Sequence, residues 1–169
     1  MALGMYSASV PVYQRQLGAI SKVLEKASSW AAAKKVDEAV MGATRLTPDM
    51  FPLTRQVQIA CRFAEESTAR LAGVEVPKAP DNSEKTLAEL RARIAAVLGY
   101  VKGFKPEQID GSEGREITLT IGGNPLKLTG AQYLEHFAMA NFYFHCTTTY
   151  AILRQMGVEI GKRDFIGGQ

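Results

Sequence analysis

Residues 129–156, TGAQYLEHFAMANFYFHCTTTYAILRQM, combine a helix start, an apolar seam and two strongly polar side chains in the middle of that seam. Thr129 and Gln132 have the spacing of a capping box, in which the hydroxyl accepts a bond from the third backbone amide and the longer side chain reaches back to the first. Leu134, Ala138, Asn141, His145, Thr148 and Ile152 then recur every three or four residues, and Gly157 supplies a stop after Met156. The pattern predicts one long helix over residues 129–156. Asn141, His145 and three threonines interrupt its apolar run, so it does not suit a membrane span.

Upstream the period changes from helical to alternating. Ile117, Leu119 and Ile121 alternate with Thr118 and Thr120, and Gly122-Gly123-Asn124 leads into Leu126 and Leu128, which reads as a β-hairpin. A lone hairpin is marginal in water, so its apolar face must lie against the helices.

Three more helical seams precede it. Tyr6, Val10, Tyr13, Leu17, Ile20, Leu24 and Ala27 mark the first helix, with Pro11 placing its regular start near Ser7 or Ser9 and its end expected near Ser28 or Trp30. A short extra helix is expected within residues 31–41. Leu53, Val57, Ala60, Ala64 and Leu71 mark a second long helix that stops at Gly73, followed by a crossover over residues 74–82 containing Pro77 and Pro80. Leu87, Leu90, Ile94, Val97 and Val101 mark a third, with Thr86 and Glu89 as another capping box and Gly103 and Pro106 closing it.

Four long helices and one hairpin fit a single domain over residues 1–169, with the tail at 158–169 expected to pack over one end of the bundle or fray. The 46% hydrophobic and 22% charged composition is that of an ordinary globular chain. Its net charge of +3 is spread among acids rather than collected in a run, and no RNA-binding motif appears, so neither nucleic acid nor a membrane is expected as a partner. Cys61 and Cys146 lack metal-ligand spacing and fall inside helical patterns, where reduced thiols pack as small apolar groups. With no basic start followed by a continuous apolar segment, the expected setting is the bacterial cytoplasm.

Asn141 and His145 lie four residues apart and project from neighbouring turns of one helix face. Gln56, beside Val57 and Ala60, falls near the same depth on the second helix. Two readings stand: a small-molecule pocket with His145 as ligand or base, or a structural polar network in which His145 and Asn141 satisfy each other and the hydroxyls of Thr147, Thr148 or Thr149. His136, nine residues from His145, is turned by about 100° per residue to nearly the opposite face of an unbroken helix. The two histidines therefore cannot share an ion, and His136, with Tyr143 and Tyr150, suits a surface or interface. Asp49 is expected to cap the second helix. The tail segment 161–165, GKRDF, could contact a phosphate, but a tail anchored by Phe165 is the simpler reading.

Residues 46–58, LTPDMFPLTRQVQ, the RLAG helix end at 70–73, and NFYFH at 141–145 running to Leu153 and Arg154 resemble an uncharacterised bacterial family of unknown function. That family is grouped with the DinB/YfiT-like superfamily. The resemblance covers nearly the whole chain and implies an all-α, DinB/YfiT-like four-helix bundle with a short β-hairpin before the last helix. Members of the superfamily resemble metalloenzymes in which one histidine of the second helix and an HxxxH pair of the last hold a divalent ion, and some are thiol-dependent transferases. On this sequence the second histidine of the pair matches His145, the first matches Asn141, and the helix-two histidine falls near Gln56 or Gln58. One of three ligands survives, and the chain has only two histidines in all.

The expectation is therefore a small-molecule-binding bundle, with His145, Asn141, Gln56 and Gln58 as pocket residues and no cofactor. A divalent metal is disfavoured; if one binds, His145 with Asp49 would hold it. The alternatives are a divergent metal-dependent thiol transferase or hydrolase, and a structural homodimer, the dimer being also what the resemblance implies.

Overall fold

The computed structural model describes residues 4–168, so residues 1–3 and 169 of the expected domain lie outside it. The four long helices are α1 (Val10–Lys34), α3 (Leu53–Ala72), α4 (Leu87–Lys102) and α7 (Met139–Gln155). Helix α1 packs along α4 and α7, and α3 packs along α4 and α7, which closes a ring of four around one core. The seams of Leu53, Val57, Ala60, Ala64 and Leu71 and of Leu87, Leu90, Ile94, Val97 and Val101 are all buried, as the periodicity requires. Tyr13 and Phe142 fill the centre, both fully buried, with their rings edge to face at 4.8 Å.

Strands β1 (Glu116–Ile121) and β2 (Asn124–Thr129) pair antiparallel through a Gly122-Gly123 turn. Ile117 and Leu119 face inward onto a second apolar cluster with Met5, Val10, Leu71, Ile109, Tyr133, Leu134 and Ala138. The hairpin thus caps one end of the bundle, and burial of that face compensates for its small size. Its link to the last helix is tight. A Cβ on Gly130 would overlap the Ser112 carbonyl, and Ala131 N–H donates to Glu113 at 3.0 Å.

Both capping boxes form. Glu89 N–H donates to Thr86 Oγ1 at 3.1 Å while the Glu89 carboxylate accepts from the amides of Lys85 and Thr86. Gln132 N–H donates to Thr129 Oγ1, and Gln132 Oε1 accepts from Thr129 N–H. Gly73 ends α3 in the left-handed conformation, as expected of a glycine stop.

Three expectations need correction. Helix α1 continues past Trp30 to Lys34, because Ala31, Ala32 and Ala33 are strong helix formers, and it ends only where Lys35 turns left-handed. The extra helix α2 is therefore Glu38–Ala43, begun by Asp37 accepting from Ala39 N–H at 2.8 Å. The last helix starts at Thr129 as expected but is not uniform: after α6 (Gly130–Gln132) it winds as a π-helical turn over Tyr133–Ala138 before α7. The wider turn rephases the helix, so that Tyr133 and Leu134 meet the hairpin while Phe142, His145 and Cys146 still face the bundle.

The tail is packed: Val158 and Ile160 are buried in the main core, and the residues after them lie along α1. Residues Lys162–Phe165 form a short helix α8 after α5 (Pro106–Ile109) and α7 in the numbering used here. It is tied down by Gln16 donating to the Phe165 carbonyl, Arg15 to that of Ile166, and Lys26 pairing with Asp164 at 2.7 Å. Phe165 packs edge-on against Tyr150. The cations of the GKRDF segment thus flank an anchored aromatic.

Candidate functional site

His145 and Gln56 meet across the α3–α7 contact. His145 Nδ1 lies 2.7 Å from Gln56 Oε1. Gln56 Nε2 donates to the Phe51 carbonyl at 2.9 Å, and a carbonyl can only accept, so the orientation of the amide is determined and its oxygen faces the imidazole. Nδ1 must therefore carry the proton and donate to Gln56. In the neutral ring this leaves Nε2 as a bare lone pair, with no protein partner among the described residues.

Phe63 stacks alongside the imidazole at 6.2 Å and Phe144 meets it edge-on at 5.3 Å. The residue is 8% exposed. Burial of the imidazole, reinforced by the positive charge of Arg55, lowers its pKa from 6.5 to about 4. At neutral pH His145 is consequently an uncharged acceptor and a weak base.

The other expected site residues go elsewhere. Asn141 sits one turn before His145, half-buried, and donates to the Phe137 carbonyl at 2.8 Å rather than to the imidazole. Thr148 and Thr149 donate to the carbonyls of Phe144 and His145, so the network expected around Asn141 is replaced by backbone bonds within α7. Gln58 is buried but turned away from Gln56, since two residues on a helix differ by about 200°. Its amide donates to Glu84 at 2.8 Å and to the Asn82 carbonyl, on the crossover side of α3. Asp49 is exposed and accepts from Thr47 at 2.7 Å, while Pro52 precedes α3 with no side-chain cap, so Asp49 does not cap that helix. His136 is exposed, on the π-helical turn.

Hollows of about 470 Å³ beside Trp30 and about 420 Å³ between α3 and α4 are lined by residues other than His145. The second of these has Cys61 in its floor, where burial pushes the thiol up to about 12 and keeps it protonated and unreactive.

The three-ligand ion of the superfamily does not fit these donors. Of the three positions, only His145 offers an imidazole; the Gln56 amide oxygen already accepts from His145, and Asn141, whose nitrogen is held by the Phe137 carbonyl, offers only an amide oxygen, a weak ligand for a transition metal. Among the described residues no three His, Cys, Asp or Glu side chains converge. The Nδ1–H bond to an amide oxygen is nonetheless the kind of support that orients a functional imidazole.

Comparison with known proteins places the chain. Residues 5–166 match the family described as a domain of unknown function, DUF1993. The crystal structure of a DinB family member from Shewanella denitrificans is 41% identical, covers 97% of this chain and 92% of its own, and superposes with a TM-score of 0.87. No curated protein matches. No helix among the described residues is long and apolar enough to cross a membrane. The shared length and identity, the ring of four helices and the hairpin before the last of them together make this chain a member of the DUF1993 family, with the fold of DinB family proteins.

Proposed function

We propose that this protein binds a small organic molecule at His145, without a metal, through the Nε2 lone pair. The observation that carries the reading is the relay from the Phe51 carbonyl through Gln56 to His145, which fixes one tautomer and points the acceptor away from the amide. Phe63 and Phe144 beside the ring suit a flat apolar body carrying one N–H or O–H donor. A phenol is the simplest probe of that class. p-Cresol titrated into labelled protein should perturb the His145 ring resonances saturably, and His145→Ala should weaken its binding tenfold or more. Equal affinity for wild type and His145→Ala would reject the site.

A second reading, a homodimer through the face bearing His136 and Tyr143, is supported by Tyr143 at 40% exposure and the adjacent Phe144 at 55%. Sedimentation equilibrium should then give a mass that rises towards twice 18.4 kDa with concentration. A constant 18.4 kDa species would end that reading.

A further inference from the structure

Two arginines line one cleft at the far end of α3, with few acids beside them. Arg70 is half-buried in the last turn; its nearest carboxylate, Glu66, is 3.5 Å away and is shared with Arg62, which holds the other oxygen. Arg70 Nε is buried with no hydrogen-bond partner. Arg115, just before β1, has no side-chain hydrogen bond or ion pair among the described residues. Its guanidinium lies directly over Gly73, where φ of +69° and the missing Cβ let the helix end pass beneath it.

These two side chains line a cleft of about 290 Å³ between the end of α3, the extended residues Val74 and Val76, and Glu116, Ile117 and Thr118 of β1. The hairpin is only two strands wide, so β1 presents its outer edge to this cleft. Glu116 is the one acid in the lining, and Lys127 of β2 holds it at 3.0 Å. The carbonyl end of α3 offsets part of the arginine charge, although the carbonyls of Ala69 and Arg70 are already taken by the backbone amides of Gly73 and Val74.

We propose that this cleft is an anion site for a dianionic phosphate group, held by Arg70 and Arg115. Paired guanidiniums present planar forks that match phosphate oxygens two at a time, and two of them balance a charge of −2. The Thr118 hydroxyl supplies a further donor in the lining. Arg70 is fourteen residues from Gln56, roughly 21 Å along the helix, so this site is separate from His145 and stands or falls independently of it.

The test is a thermal-shift titration with inorganic phosphate and, separately, glycerol phosphate, at constant ionic strength set by chloride, with acetate as the monoanion control. A saturable rise in Tm is expected, roughly 5–10 °C at about a hundred times Kd. Arg115→Ala, at an exposed position that leaves the core intact, should abolish the rise, and Arg115→Lys should weaken it. Saturation by the free ion alone identifies phosphate itself as the ligand, and saturation by the ester as well identifies a phosphomonoester; either supports the site. No saturable shift, an equal shift with acetate, or an undiminished shift in Arg115→Ala overturns it and leaves the two arginines as partners of the helix end alone.

Discussion

Phe142→Ala should lower the unfolding free energy by about 3–5 kcal/mol, the range for truncating a fully buried aromatic ring. Phe142 is completely enclosed and meets Tyr13 edge to face at 4.8 Å, so truncation removes the ring's own burial and a specific aromatic contact together. The neighbours are long helices locked in a ring, which limits collapse into the space left behind. The Tyr13 hydroxyl is engaged with Ser67 at 2.7 Å, so its ring cannot swing into the hole without breaking that bond. Urea unfolding of the two proteins measures the difference. A loss below about 1 kcal/mol would mean that α1 and α7 are not packed as described.

Acid should destabilise the protein through His145 in particular. Its folded pKa of about 4 lies below the ordinary 6.5, so the unfolded chain takes up the proton first. The contribution is complete above pH 6.5 and is lost as pH falls towards 4. Between pH 7.5 and 5.0 this linkage amounts to about 2 kcal/mol, less where solvent beside Nε2 screens the new charge. Other groups titrate over the same interval, so the measurement is a difference: wild type should lose about 2 kcal/mol more than His145→Gln over that range. Parallel pH profiles for the two proteins would show that the imidazole is not held neutral by the fold.

Most of the architecture could be read from local chemistry. The capping boxes at Thr86 and Thr129, the stop at Gly73 and the alternation from Ile117 to Ile121 each specify their element within a few residues, and each forms. The end of α1 was misplaced because residues 28–34 contain nothing that opposes helix, and the stop depends on Lys35 adopting a conformation unusual for lysine. The π-helical turn carries no sequence mark at all. It follows from the competing demands of the hairpin cluster and the bundle core on one helix.

The site divides in the same way. Equal depth on two facing helices groups Gln56 with Asn141 and His145, and the structure joins Gln56 to His145 alone. The separation of Gln58 from Gln56 was also available from helix geometry, whereas the engagement of Asn141 by Phe137 was not. Arg70 and Arg115 are forty-five positions apart, and only the fold of the hairpin against the end of α3 brings them to one cleft.

The central claim is that Gln56 holds His145 as a neutral imidazole with its proton on Nδ1 and a bare Nε2. Long-range proton–nitrogen NMR of the histidine ring, recorded from pH 8 to pH 3.5, reads this directly. The structure predicts a protonated Nδ1 and an unprotonated Nε2 throughout the neutral range, with a midpoint near pH 4. Gln56→Leu should then remove the preference for that tautomer. A proton on Nε2 at neutral pH, or an ordinary midpoint near 6.5, would contradict the account.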